Sequence, residues 1–191
     1  MTAKRSNLNR DLLPGVSREK RLAEMVRVDH AGEYGAVRIY EGQLAVFEKR
    51  PGKQETARLI EHMAAQEQRH LSTFDRLVNE RQVRPTALAP VWHLAGYALG
   101  AATALLGEKA AMACTAAVEE VIDEHYRDQR EALNRLPDAE LADVVDDFRA
   151  DEAEHRNTAL EQGAEQTPGY SLLSNTIKGA CRAAIRLSEK I

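Results

Sequence analysis

The sequence predicts an all-α protein: a four-helix bundle with an additional apolar helix and a carboxy-terminal amphipathic helix. Three observations lead there. The composition is rich in Ala, Leu, Glu and Arg but holds only three Phe and one Trp, which favours helices over sheets. Apolar residues recur in steps of three and four along most of the chain. Carboxylates interrupt those stripes at matched places: Glu33 and Glu67 are 34 residues apart, Glu119 and Glu152 are 33 apart, as in a duplicated helical hairpin.

With 191 residues and 43% hydrophobic content, the chain can bury one sizeable core. It divides into an extension, 1–17; a bundle, 18–167, made of hairpin 18–82, a connection and apolar segment 83–107, and hairpin 108–167; and an amphipathic helix, 168–191. The net charge of -4, with both signs interspersed, excludes a nucleic-acid partner. Cys114 and Cys181 lack metal-site or redox spacing and read as small core residues in a reducing compartment. Lys4, Arg5 and Arg10 precede no apolar run, so neither a secretory signal nor a transit peptide is expected, and the protein is expected to stay in a bacterial-type cytoplasm.

Pro14-Gly15 reads as a turn, and Ser17 offers half of a capping signature for a helix from about Arg18 to Arg50. Its inner stripe runs Leu22, Val26, Asp29, Glu33, Val37, Tyr40, Leu44, Phe47, with Gly32 and Gly35 leaving room for a neighbouring backbone or a ligand. Pro51-Gly52 ends it. The second helix, about Lys53 to Gln82, has the inner face Leu59, Met63, Glu67, His70, Phe74, Leu77. The 85–107 segment carries no formal charge and includes Trp92 and Tyr97. Such a helix is buried or touches lipid, and its Pro, His, Ala and Gly content makes it a poor membrane span. The next stripe runs Met112, Thr115, Glu119, Ile122, Tyr126, Arg130, Leu133. Pro137-Asp138 then caps a helix whose inner face reads Leu141, Val145, Phe148, Glu152, His155, Ala159.

Each hairpin therefore supplies one lone Glu and one Glu-x-x-His, all on core-facing stripes. Buried carboxylates without a cation are costly enough to be lost or protonated. One Glu from each of two helices and Glu-x-x-His from each of the other two is the carboxylate di-metal pattern of ferritin-like bundles. Four oxygen and two nitrogen donor groups suit iron or manganese with open positions better than closed tetrahedral zinc. A ligating imidazole usually donates its other N–H to a carboxylate or carbonyl, so Asp151 is expected to orient His70 from the facing helix; Asp29 and Asp123, one turn from Glu33 and Glu119, are candidates for similar support. His125 and Tyr126, roughly 9 to 10 Å along the helix from Glu119, are expected to border the site. His30, His62 and His93 have no partner at ligand spacing and read as structural.

The motifs Val28-Asp29-His30-Ala31-Gly32-Glu33-Tyr34-Gly35-Ala36, Ala113-Cys114-Thr115, Val118-Glu119-Glu120, His125-Tyr126 and the two Glu-x-x-His pairs together resemble the demethoxyubiquinone hydroxylase family. The resemblance covers nearly all of the chain after about Leu22. It implies a membrane-associated, ferritin-like di-iron monooxygenase of ubiquinone biosynthesis. Glu33, Glu67, His70, Glu119, Glu152 and His155 would ligate two iron ions, and His125 and Tyr126 would serve proton or electron transfer. It implies O2 as co-substrate and NADH or the quinol as electron donor. The absence of a GxGxxG fingerprint speaks against a stable dinucleotide domain. The expected substrate is a polyprenyl benzoquinone or quinol, and ubiquinone-biosynthesis accessory proteins are further expected partners; a homo-oligomer stays open. The competing reading is a ferritin-like ferroxidase or iron-binding bundle without quinone chemistry.

The carboxy-terminal helix sets Leu173, Ile177, Ala180, Ala184 and Ile191 on one side and Lys178, Arg182 and Arg186 on another. Either it lies on an anionic membrane or it covers the bundle. With the charge-free segment, it predicts a peripheral protein at the cytoplasmic face of a bacterial inner membrane.

Overall fold

Ser17 begins the ordered helix by accepting a hydrogen bond from the Lys20 amide at 3.2 Å, the expected cap made without the reciprocal acidic residue. In the computed structural model, which describes residues 17–191, this first helix, α1, spans Arg18–Phe47 without a break at the Gly32-Glu33-Tyr34-Gly35 stretch. The Pro14-Gly15 turn and almost all of the 1–17 extension lie outside the described residues. After α1 come α2 (Gln54–Glu80), α3 (Ala89–Leu106), α4 (Glu108–Leu133), α5 (Ala139–Glu161) and α6 (Tyr170–Ser188), with a short 3-10 turn at Ala164–Gln166. No strand occurs among the described residues. Asp138 caps α5, accepting from the Leu141 amide at 3.1 Å.

Helices α1 and α2 form one antiparallel hairpin, with His30 opposite Asp75 and Tyr40 opposite Met63; α4 and α5 form the other. Each hairpin is followed by one outer helix laid along its first member: α3 on α1, and α6 on α4. The bundle interior has two apolar ends. Leu22, Val26, Phe74, Leu77, Leu133, Leu141 and Val145 fill one. Phe47, Ile60, Met63, Met112 and Ala159 fill the other. Burial of each large apolar side chain contributes roughly 1.5–3 kcal/mol, which is enough to hold a polar layer between the two ends.

The outer helices are attached by different chemistry. A methyl group at Gly100 of α3 would run into the Ile39 carbonyl of α1, and one at Gly96 would lie 2.9 Å from the Gly35 carbonyl, so small residues bring the two backbones together. By contrast, α6 buries Ile177 against Cys114, Ala117 and Val118 and adds charge: Lys178 meets Glu120 at 2.6 Å and Arg182 meets Glu124 at 2.9 Å. Of the two readings the sequence left open for this helix, these pairs favour the one in which it covers the bundle, since the four-residue spacing of Lys178 and Arg182 matches the acidic stripe of α4. What α3 leaves outside is largely apolar, and α6 adds Leu172 and Leu187. Leu94, Leu106 and Leu172 are more than two-thirds exposed, at 71%, 75% and 76%. Helix α3 is also long and apolar enough to cross a membrane by length and composition alone.

Candidate metal centre

Mid-bundle, between the two apolar ends, Glu33 from α1, Glu67 and His70 from α2, Glu119 from α4, and Glu152 and His155 from α5 converge, each no more than 1% exposed. They fall into two overlapping groups, Glu33, Glu67, His70, Glu152 and Glu67, Glu119, Glu152, His155, with the ligand atoms of each group within 4.8 Å of one another. Glu67 and Glu152 belong to both. His70 Nδ1 lies 3.2 Å from Glu152 and 3.4 Å from Glu33, while His155 Nδ1 lies 3.1 Å from Glu67 and 3.5 Å from Glu152. The neighbouring Glu120 stays outside, on the surface, against Lys178.

The inward-facing atoms are orphaned. Both oxygens of Glu67 and of Glu152, Oε2 of Glu33 and of Glu119, and Nδ1 of each histidine are buried with no hydrogen-bond partner among the described residues. Buried polar groups are otherwise almost always satisfied, so this many converging orphans are what a cation site would present. Electrostatics agree. Burial first, then the charge of Glu152, raises Glu67 and Glu119 well above the usual carboxylate range. Burial also raises Glu152. His70 is pushed up to about 11, because the carboxylates of Glu152 and Glu33 outweigh the burial that disfavours its charged form. Without a cation the cluster would hold protons. Hard oxygen and imidazole donors in these two overlapping groups could hold a first-row divalent metal.

A second layer holds these groups in place. Tyr40 donates to Glu119 at 2.8 Å, and Tyr126 donates to Glu33. Burial, then the charge of the carboxylate each one touches, raises both phenols well above their ordinary range, so they remain donors. Tyr126, expected to border the site, carries its hydroxyl across to Glu33 of α1. Tyr40 was read only as a core residue. Each tyrosine follows the lone Glu of its helix by seven residues and serves the lone Glu of the other, a signal visible once the hairpins are aligned. On the far side of the imidazoles, Asp151 lies 3.0 Å from His70 Nε2, and Gln66 lies 3.1 Å from His155 Nε2. Gln66 was missed, although it precedes Glu67 just as Asp151 precedes Glu152.

Asp29 is buried, 3.0 Å from His125 and 2.7 Å from Gln129, and burial, with the charge of Glu33 near enough to help, raises its carboxyl above the usual range. His125 therefore faces Asp29, and its charged form is favoured by that carboxylate despite burial. Asp123 pairs with Arg149 at 2.7 Å and Arg156 at 3.2 Å on α5, rather than with either histidine of the cluster. His30 pairs with Asp75, and His93 with Tyr34 at 2.5 Å, away from the ligand set. Both cysteines are free, and burial raises Cys114 to about 12 and Cys181 to about 11, so both stay thiols.

Outside Glu33 and Glu119, over the seam between α1 and α4, lies an apolar cavity of about 170 Å³ walled by Gly32, Gly35, Ile39, Val118, Ile122, Leu99 and Cys181 and roofed by α3 and α6. A methyl at Gly32 or Gly35 would meet nothing within 4 Å. These glycines keep space open, where the sequence reading left a choice between a close backbone and a ligand.

Residues 20–188 match the sequence profile of a family described as ubiquinone biosynthesis protein COQ7. The chain is 52% identical over 184 residues to the 3-demethoxyubiquinol 3-hydroxylase of Rhodospirillum rubrum, covering 95% of this chain and 84% of that one. It is 50% identical over 171 residues to the mitochondrial NADPH-dependent 3-demethoxyubiquinone 3-hydroxylase of Rattus norvegicus, covering 87% and 76%. With the mitochondrial 5-demethoxyubiquinone hydroxylase of Saccharomyces cerevisiae the identity is 39% over 184 residues, covering 89% and 78%.

Proposed function

The chain belongs to the ubiquinone biosynthesis protein COQ7 family, and we propose that its buried cluster holds two iron ions with which it hydroxylates the ring of a demethoxyubiquinol or demethoxyubiquinone. It is a hydroxylase of ubiquinone biosynthesis, an oxidoreductase. The observation that carries the di-metal reading is the pair of overlapping ligand groups sharing Glu67 and Glu152, with their inward atoms orphaned. Two iron(II) ions there would supply activation of O2 and delivery of one oxygen atom to a ring C–H position, the other atom leaving as water with two electrons from a donor and two protons.

The chain's own residues do the rest. Glu67 and Glu152 would each reach both metals, Glu33 and His70 one of them, Glu119 and His155 the other. Tyr126 and Tyr40 fix the carboxylates that belong to one metal only. Two apolar ends keep bulk water from the cluster. The cavity beside Gly32 and Gly35 would receive the quinol ring, with the isoprenoid tail leaving between α3 and α6 toward lipid. Glycine inside a helix is destabilising by about 0.5–1 kcal/mol relative to alanine, a sacrifice that makes sense where a side chain would block a substrate. Reduced nicotinamide is the donor suggested by the relatives' names, and the quinol is the alternative. The exposed leucines of α3 and α6 favour a peripheral seat at the cytoplasmic face of an inner membrane, now through apolar contact rather than the basic stripe. The same apolar cavity and surface argue against an iron-storage role.

Deleting the gene for this protein should make cells accumulate a demethoxyquinone. The wild-type chain should restore ubiquinone, and Glu152→Ala should not. An unchanged quinone profile in the deletion strain would overturn the proposal.

A further inference from the structure

The two metal positions are supported unequally, and the inequality follows from the alignment of the two Glu-x-x-His helices. On α2 the sequence is Met63, Gln66, Glu67, His70; on α5 the same places hold Phe148, Asp151, Glu152, His155. Each imidazole is backed by the other helix. His70 therefore presents Nε2 to a carboxylate, Asp151, at 3.0 Å, whereas His155 presents Nε2 to an amide oxygen, Gln66, at 3.1 Å. Asp151 is itself fixed by Arg69, which also holds Asp147 at 2.7 Å. The His70 ring lies against Phe148 with centroids 3.9 Å apart and 22° between planes, with the Arg69 guanidinium 5.0 Å over the same phenylalanine. For His155 the matching aromatic contact is only an edge, Tyr40 at 6.2 Å.

A carboxylate acceptor makes an imidazole a better electron donor to a metal than an amide does, and a ring clamped on its face loses less freedom on binding. We propose that Glu33 and His70 form the tight metal position, filled first, and Glu119 and His155 the weaker one, filled second, with Asp151 and Gln66 as the positioning residues that set the order. The proposal rests on the di-metal reading. Removing an outer partner of this kind typically changes metal affinity by about 10–100-fold, so the two steps should be separated by about tenfold or more.

Stepwise anaerobic titration of the metal-free full-length protein with Co(II), followed by visible absorption and by calorimetry, reads this without any turnover. The wild type should show two steps, the first the tighter. Asp151→Asn should weaken the first step by about 10–100-fold and leave the second in place. Gln66→Ala should weaken only the second, and Gln66→Glu should draw the second toward the first; circular dichroism establishes that each variant keeps its helix content. Two equal steps in the wild type, or variants that affect the opposite step or neither, overturn the asymmetry. Fewer than two ions bound per chain overturns the di-metal reading itself.

Discussion

The two halves of the molecule repeat one plan and depart from it in different layers. Helices α1, α2, α3 and helices α4, α5, α6 each give a hairpin with a lone Glu, a Glu-x-x-His and an outer helix on the first member. At the centre the halves are nearly interchangeable, and they cross: Tyr126 serves Glu33, Tyr40 serves Glu119, and each histidine is backed by the opposite hairpin. At the periphery they diverge, with α3 fused to α1 through glycines and α6 strapped to α4 by ion pairs. Two metals held side by side, as proposed, would keep the centre alike, and a substrate entering from one side would require the outside to differ.

The largest effects should come from breaking the shared centre. Glu67→Ala or Glu152→Ala should strip both metals and reduce hydroxylation by more than the about 10–100-fold expected from loss of an outer partner. Glu33→Ala should remove only one metal, as measured by metal content per chain. If Glu33→Ala and Glu152→Ala lose the same amount, the carboxylates are not divided into shared and private ones.

The crossed tyrosines sharpen the comparison further. Tyr40→Phe and Tyr126→Phe each remove a hydrogen bond to a buried carboxylate, worth about 1.5–3 kcal/mol, and should lower kcat by about tenfold or more to a similar degree. A much deeper loss for Tyr126→Phe alone, with metal content intact, would assign that residue proton or electron transfer beyond holding Glu33.

At the periphery the effects are smaller. Gly100→Ala should lower stability by about 1–3 kcal/mol in urea unfolding, since a methyl must displace the α1 backbone. Lys178→Ala, which breaks a partly exposed ion pair, should change it by less than about 1 kcal/mol. Equal costs would mean the two attachments do not differ as described. Gly32→Ala, which has open space beside it, should change stability in the opposite direction, stabilising the helix by about 0.5–1 kcal/mol while raising KM for the quinol.

The sequence carried the fold and the buried Glu/His cluster because both depend on period. Glu33, Glu67, Glu119 and Glu152 sit on stripes that a 3.6-residue turn places inward, and no tertiary knowledge is needed to see them there. Asp123 and the basic face of α6 show where periodicity stops. A charge on a helix reads the same whether its partner is solvent, lipid or a facing helix, and only packing decided that Lys178 and Arg182 meet Glu120 and Glu124. Tyr40 and Gln66 were hidden for another reason: a core tyrosine and a helix-surface glutamine are unremarkable alone, and they acquire a meaning only when each hairpin is laid over its twin. The cavity over α1 and α4 depends on which way α3 folds back, a matter settled by Gly96 and Gly100 meeting the α1 backbone.

The central claim is that two equivalent hairpins build one site with two metal positions and two shared carboxylates. Anomalous diffraction at the iron edge from crystals of the iron-loaded protein tests it most directly. The account predicts two peaks between Glu67 and Glu152, one beside Glu33 and His70 and the other beside Glu119 and His155. A single peak, or iron bound away from these six residues, would contradict it.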